Sequence, residues 1–122
     1  MTRRQRGEIA YYNGLRAEDV VARDFGRRGM AVLAQRWRGR AGELDMIVRS
    51  PEGLIVVEVK TGPSCAEAAL LLRPAQMRRI WQAAEEYLAS QPLGFGTPCR
   101  IDVALVDRHG TIEYIENAVM AA

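Results

Sequence analysis

Residues 42–61 read GELDMIVRSPEGLIVVEVKT, and they predict two strands joined by a tight turn. Leu44 to Val48 and Leu54 to Val59 are rich in aliphatic and β-branched residues, and Ser50-Pro51-Glu52-Gly53 between them carries turn chemistry. Proline suits the second position of a type I turn and glycine the fourth. A turn centred between Pro51 and Glu52 sets Ser50 opposite Gly53 and, by the same count, Asp45 opposite Glu58. Directly opposed residues share a face, with Cβ atoms roughly 4.5–5.5 Å apart. Lys60 lies two residues beyond Glu58 and emerges on that face about 6.6 Å further along. A three-residue loop would slip the pairing by one and need a bulge to restore the shared face.

Leu54-Ile55-Val56-Val57 is a continuous apolar run, the mark of a strand covered on both faces. A charge at the end of such a strand is costly unless it is paired or binds a metal. One reading is therefore structural, a Glu58–Lys60 or Asp45–Lys60 ion pair at the rim of the sheet. Two features favour chemistry. Lys60 is the only lysine in the chain, against sixteen arginines, and an ammonium of tunable pKa does work that a permanently charged guanidinium does not. Asp45 adds a second carboxylate beside Glu58. Hard oxygen ligands plus a lysine are the kit for Mg²⁺-assisted phosphodiester hydrolysis.

Asp45, twelve residues, then Glu58-Val59-Lys60 resembles the D…(D/E)xK signature of the PD-(D/E)XK nuclease superfamily. The wider pattern adds a helix with Glu18, then Trp37-Arg38, Gly42-Glu43-Leu44-Asp45, Val57 to Thr61, Arg79-Ile80 and Arg100-Ile101-Asp102-Val103. Over about residues 8 to 116 this resembles the bacterial YraN family of small endonuclease-like proteins. The resemblance implies a restriction-endonuclease-like α/β sandwich and a nuclease, with branched or recombination and repair DNA among its substrates. Asp45, Glu58 and the Val59 carbonyl would hold Mg²⁺ (or Mn²⁺), Lys60 would be catalytic, and Glu18 would join as a further ligand or as an orienter of the ligands. Glu18 read alone is equally an edge-of-stripe glutamate paired with arginine. The chain departs from the family at Gln76, where relatives usually carry a lysine three residues before the Arg-Ile pair. Any role of that lysine is not carried over. The alternative function is a non-cleaving nucleic-acid-binding or adaptor module on the same fold. A weaker third reading is a purely structural ion-pair cluster in an interaction protein.

At 122 residues and 48% hydrophobic content the chain forms one domain, residues 1–122, with a flexible arm at 1–7 and a tail at 117–122. No apolar run is long enough to span a membrane and no signal peptide is recognisable, so a cytoplasmic protein without a membrane partner is expected. Cys65 and Cys99 fit reduced thiols rather than a zinc site or a disulfide. The net charge of +2 hides an asymmetry: residues 1–40 hold ten arginines against four acids, and the remainder is net acidic. The basic third suits phosphate contacts, with DNA favoured over RNA as partner, although a solvated basic face is the plainer reading. A pair of such sites acting on two strands would favour a homodimer.

The first helix is expected from Tyr12 to Arg28, ended by Gly29, with Glu18 inside a Leu15–Ala22–Phe25 stripe. Ala31 to Arg38 reads as a strand in which Arg36, Arg38 and Arg40 surround Trp37. That grouping suits nucleic-acid contact, yet Trp37 as a core residue under snorkelling arginines is favoured. Glu43 reads as a solvated strand end beside the site. Cys65 to Leu72 is helix-prone, and Pro74 opens a clearer helix to Ala89. Met77, Ile80/Trp81, Ala84 and Leu88 form its buried stripe, and Gln76, Arg78, Arg79, Gln82, Glu85 and Glu86 face away. Arg78 and Arg79 are candidate phosphate contacts against a default of solvation. Arg100 to Val106 and Thr111 to Ile115 complete the strands, the former parallel to the hairpin by the right-handed crossover rule. Asp102 is assigned a structural role, and His109, the only histidine, a turn, which removes His-dependent nucleophilic and zinc chemistry. No internal repeat, P-loop or GxGxxG is present.

Overall fold

The computed structural model describes residues 16–118. Helix α1 covers residues 16–27, and strands β1 (Ala31–Arg38), β2 (Glu43–Ser50) and β3 (Gly53–Thr61) follow. A short helix α2 (Cys65–Ala69) and the long helix α3 (Pro74–Ala89) lead to β4 (Cys99–Val106) and β5 (Ile112–Ile115). The start expected for α1 at Tyr12, the arm at residues 1–7 and Leu15 lie outside the described residues. The sheet order is β1-β2-β3-β4-β5, antiparallel throughout except for parallel β3–β4. That is the mixed α/β sandwich expected. A parallel pair needs a crossover, and α2–α3 supplies it.

Strand alternation sorts the aliphatic residues onto two faces. Ile47, Val56, Ile101, Val103 and Leu105 pack against Cys65 and Ala68 of α2 and Met77, Ile80, Ala83 and Ala84 of α3. Met46, Val48, Ile55, Val57, Ala104 and Val106 pack against Ala17, Val21 and Phe25 of α1. The buried stripe of α1 thus runs Ala17–Val21–Phe25, with Ala22 only partly covered. Glu18 borders this stripe rather than lying inside it, a correction that follows from the four-residue spacing of the three buried positions. Trp37 is half-buried against the α3-side core and meets Tyr87 edge-to-face with centroids 5.4 Å apart. Asp102 is buried and structural. Its carboxylate accepts from Arg100 at 3.1 and 3.2 Å and from the Asn117 amide at 2.9 Å. With Ala118 N donating to Ile101 O at 2.7 Å, the first two residues of the expected tail are tied to β4.

The hairpin register is the one the turn predicts, from Ser50↔Gly53 to Met46↔Val57. Ser50 Oγ donates to Gly53 O at 2.9 Å and accepts from Glu52 N. Gly53 is required twice over. Its φ is +142°, and a Cβ there would stand 2.5 Å from the carbonyl oxygen of Pro98, the atom that accepts from Leu54 N at 2.9 Å. Gly53→Ala should therefore destabilise the fold by roughly 1–3 kcal/mol or more, from backbone strain plus displacement of the 91–98 loop. Urea denaturation would measure it, and an unchanged midpoint would refute this account.

Candidate functional site

The β2–β3 ladder stops at Met46↔Val57, although β2 continues back to Glu43 and β3 on to Thr61. Beyond that point Asp45 Oδ2 accepts from Val59 N at 2.9 Å, so a side chain stands where a main-chain carbonyl would continue the ladder. Glu58 shares the α3 side of β3 with Val56 and is 6% exposed. Its Oε1 accepts from Lys60 Nζ at 3.4 Å and from Gln76 Nε2, on α3, at 3.2 Å. Lys60 is itself mostly buried, with 16% of its side chain exposed. Asp45, Glu58 and Lys60 are thus close enough to interact, although the ladder ends before the expected Asp45↔Glu58 pair and Asp45 turns to the Val59 amide.

Burial pushes both carboxyl groups up. Glu58 rises from 4.5 to about 8, first by desolvation, then by the Asp45 charge. Asp45 also rises through desolvation, opposed by the Val59 amide and by a hydrogen bond from Glu58. The physical picture is one proton held between two carboxyls, with Glu58 donating to Asp45 and keeping Oε1 as acceptor for Lys60 and Gln76. With that proton the pair carries one negative charge and Lys60 balances it. Without the proton a buried charge is uncompensated.

Glu18 lies within electrostatic reach of Asp45, and burial followed by the Asp45 charge raises its pKa. Among the described residues no three His, Cys, Asp or Glu side chains are gathered closely enough to form a metal cage. Glu18 therefore does not complete a three-carboxylate set. Arg36 partly offsets its charge. Glu43 pairs with Arg36 at 3.5 Å and Arg38 at 3.3 Å instead of standing solvated. Arg36 takes a left-handed φ of 56°. Arg40 presents its backbone: its N–H and that of Ala41 each donate to the Glu86 carboxylate at 2.7 Å, which fixes the β1–β2 loop to α3. Arg78 and Arg79 are exposed on α3.

Two expectations for α3 are overturned. Gln76 and Glu86 do not face away. Gln76 stands four residues before Ile80 and seven before Ala83, on the edge of the buried stripe, and that spacing was the signal for its turn into the site. Glu86 follows Ala83 by three residues and meets the loop amides for the same reason.

The pH dependence follows by linkage. The folded-state pKa of Glu58 exceeds its unfolded value, so the stabilisation that its proton brings is complete below 4.5 and lost as pH rises through about 8. In chelator-containing buffer the wild type should lose melting temperature across that range. Glu58→Gln should flatten the curve and melt several degrees higher at its alkaline end. A wild type that gains stability across the range would rule this out.

A family model described as "Uncharacterised protein family UPF0102" matches residues 17–106. A UPF0102 protein of Cereibacter sphaeroides is 50% identical over 115 residues, 94% of this chain and 98% of the relative. One from Ruegeria pomeroyi is 48% identical over 113 residues, 93% and 92% of the two chains. One from Roseobacter denitrificans is 44% identical over 113 residues, 93% and 88%. No helix among the described residues is long and apolar enough to cross a membrane.

Proposed function

The chain belongs to the uncharacterised protein family UPF0102, the YraN family, and for it we propose metal-dependent hydrolysis of phosphodiester bonds in nucleic acid, in the cytoplasm. The observation that carries this reading is the pair of part-buried Asp45 and buried Glu58 with the chain's single lysine on its rim. Two desolvated carboxylates and one ammonium leave one negative charge to be neutralised, here by a proton, and hard oxygen donors of this kind suit Mg²⁺ or Mn²⁺. Asp45, Glu58 and the Val59 carbonyl would hold that ion, which when bound neutralises phosphate charge and lowers the pKa of its water.

The remaining tasks belong to the chain itself. The Val59 amide fixes Asp45, and Gln76 fixes Glu58. Lys60 orients the attacking water and offsets charge that develops on the phosphate. Glu18 biases Asp45 from the α1 side. Arg36 and Arg38, which pair with Glu43, Arg40 in the β1–β2 loop, and Arg78 and Arg79 on α3 offer backbone phosphate contacts. DNA is the favoured substrate, and a homodimer would set two sites against two strands. The second reading, a binding module without cleavage, draws on Gln76 occupying the position where relatives usually hold a lysine.

Cleavage of single-stranded, duplex, flap and four-way-junction DNA and RNA with Mg²⁺ or Mn²⁺ tests the activity. Products should appear for the wild type and vanish in Lys60→Ala and in Asp45→Asn, the latter keeping an acceptor for Val59 N. Metal-bound protein that cuts nothing would transfer the reading to the binding module. Independently of turnover, Mn²⁺ should raise the melting temperature by mass action. It should also release about one proton near neutral pH, because it displaces the proton held by the pair. Calorimetry in buffers of different ionisation enthalpy would read that proton, and its absence would count against metal binding at Asp45 and Glu58.

A further inference from the structure

At the carboxyl ends of β3 and β4, the one parallel pair in the described sheet, a cleft of about 560 Å³ opens between α1 and the β4–β5 turn. Ligands of open α/β sheets bind at that end of parallel strands. Arg16 on α1, Thr61 and Gly62 after β3, and Asp107, Arg108 and His109 in the turn line it. Arg27, Arg28, Arg36, Arg38 and Arg100 each meet a carboxylate within 4 Å. Arg16 and Arg108 are among the eight described arginines without such a pair; both are exposed, and they share the lining of this cleft. The one carboxylate in the cleft is committed to its own turn: Asp107 Oδ1 accepts from His109 N at 2.8 Å and Thr111 N at 2.9 Å. Two arginines from opposite walls thus line one nucleotide-sized space, and a guanidinium fork is the group that holds a phosphate by paired hydrogen bonds.

Position ties this cleft to the carboxylates. Lys60 and Thr61 are consecutive, and strand alternation sends the first to the α3 side with Glu58 and the second to the α1 side with Arg16. We propose that the cleft is a phosphate seat that holds a phosphate of the nucleic-acid strand one residue's reach past the Asp45–Glu58–Lys60 group. As a seat for substrate this rests on the hydrolase reading; as an anion site it stands alone.

Amide chemical shifts of the full chain, titrated in chelator with inorganic phosphate and then with 5′-phosphorylated and 5′-hydroxyl oligodeoxynucleotides, test it. Phosphate should move the amides of Arg16, Thr61, Gly62 and Arg108–Gly110. In Arg16→Gln/Arg108→Gln those shifts should vanish and affinity for the phosphorylated strand fall about tenfold, the worth of a charge-assisted hydrogen bond. Arg108→Gln alone gives the same test in a milder variant. Phosphate shifts spread over other arginines, absent altogether, or unchanged in the double variant would overturn the seat. Free phosphate bound in the cleft, with neither oligonucleotide bound there, would overturn its assignment to a strand. Shifts confined to the cleft in a protein that cleaves nothing would sink the hydrolase reading and keep the anion site. Cleavage with no shifts in the cleft would do the reverse.

Discussion

The hydrogen bond from the Val59 amide to the Asp45 carboxylate is the constraint on which the site depends. A hairpin that kept pairing would satisfy Val59 N with a main-chain carbonyl and leave no reason for a charge at residue 45. Because the ladder ends at Met46↔Val57, that amide would be an orphan inside the sheet. Asp45 satisfies it at the cost of placing a carboxylate beside Glu58. The local repair of the backbone and the assembly of the acidic pair are one event. It also explains why the pair is held so deep: both members are anchored, one by a strand amide and the other by a helix glutamine.

The walls around this pair set its electrostatics. The aliphatic residues of β3 and β4 and the first turns of α3 keep water away, which raises the energy of every charge inside. A chain otherwise committed to arginine places its single lysine here, where a planar guanidinium would need a wider opening and more acceptors than Glu58 Oε1 supplies. The arginines that surround the mouth are partly quieted by Glu43, so the positive rim is ordered rather than diffuse.

Much of this is written in local punctuation. Gly29 precedes β1, Pro74 opens α3, and Pro51 with Gly53 sets the hairpin register, which brings Asp45 close to Glu58 although the ladder ends just before them. The family motif was legible for the same reason, since its spacing lies within one hairpin. What escaped depends on partners distant in sequence. Gln76 was assigned to the outer face because it is polar, and only the placement of α3 over β3 reveals an acceptor eighteen positions away. Glu86 finds its partners 45 and 46 positions back, on a loop whose position no periodicity encodes. Glu18 was placed in the wrong stripe because the α1 face is chosen by the sheet it covers. Asn117 looked like the start of a tail because its anchor, Asp102, is buried in another strand.

The junction between α1 and β5 bears on how such a chain assembles. Tyr114 donates to Asp24 at 2.6 Å across 90 positions of sequence, its ring meets Phe25 at 5.5 Å, and Arg28 stacks over both rings. The first described helix is thus clasped by the last described strand. During synthesis α1 can cover Met46, Val48, Ile55 and Val57 as soon as the β1–β3 meander has emerged, but it gains this clasp only after residue 115. The helix therefore docks in two steps, first on the hairpin and later on β5.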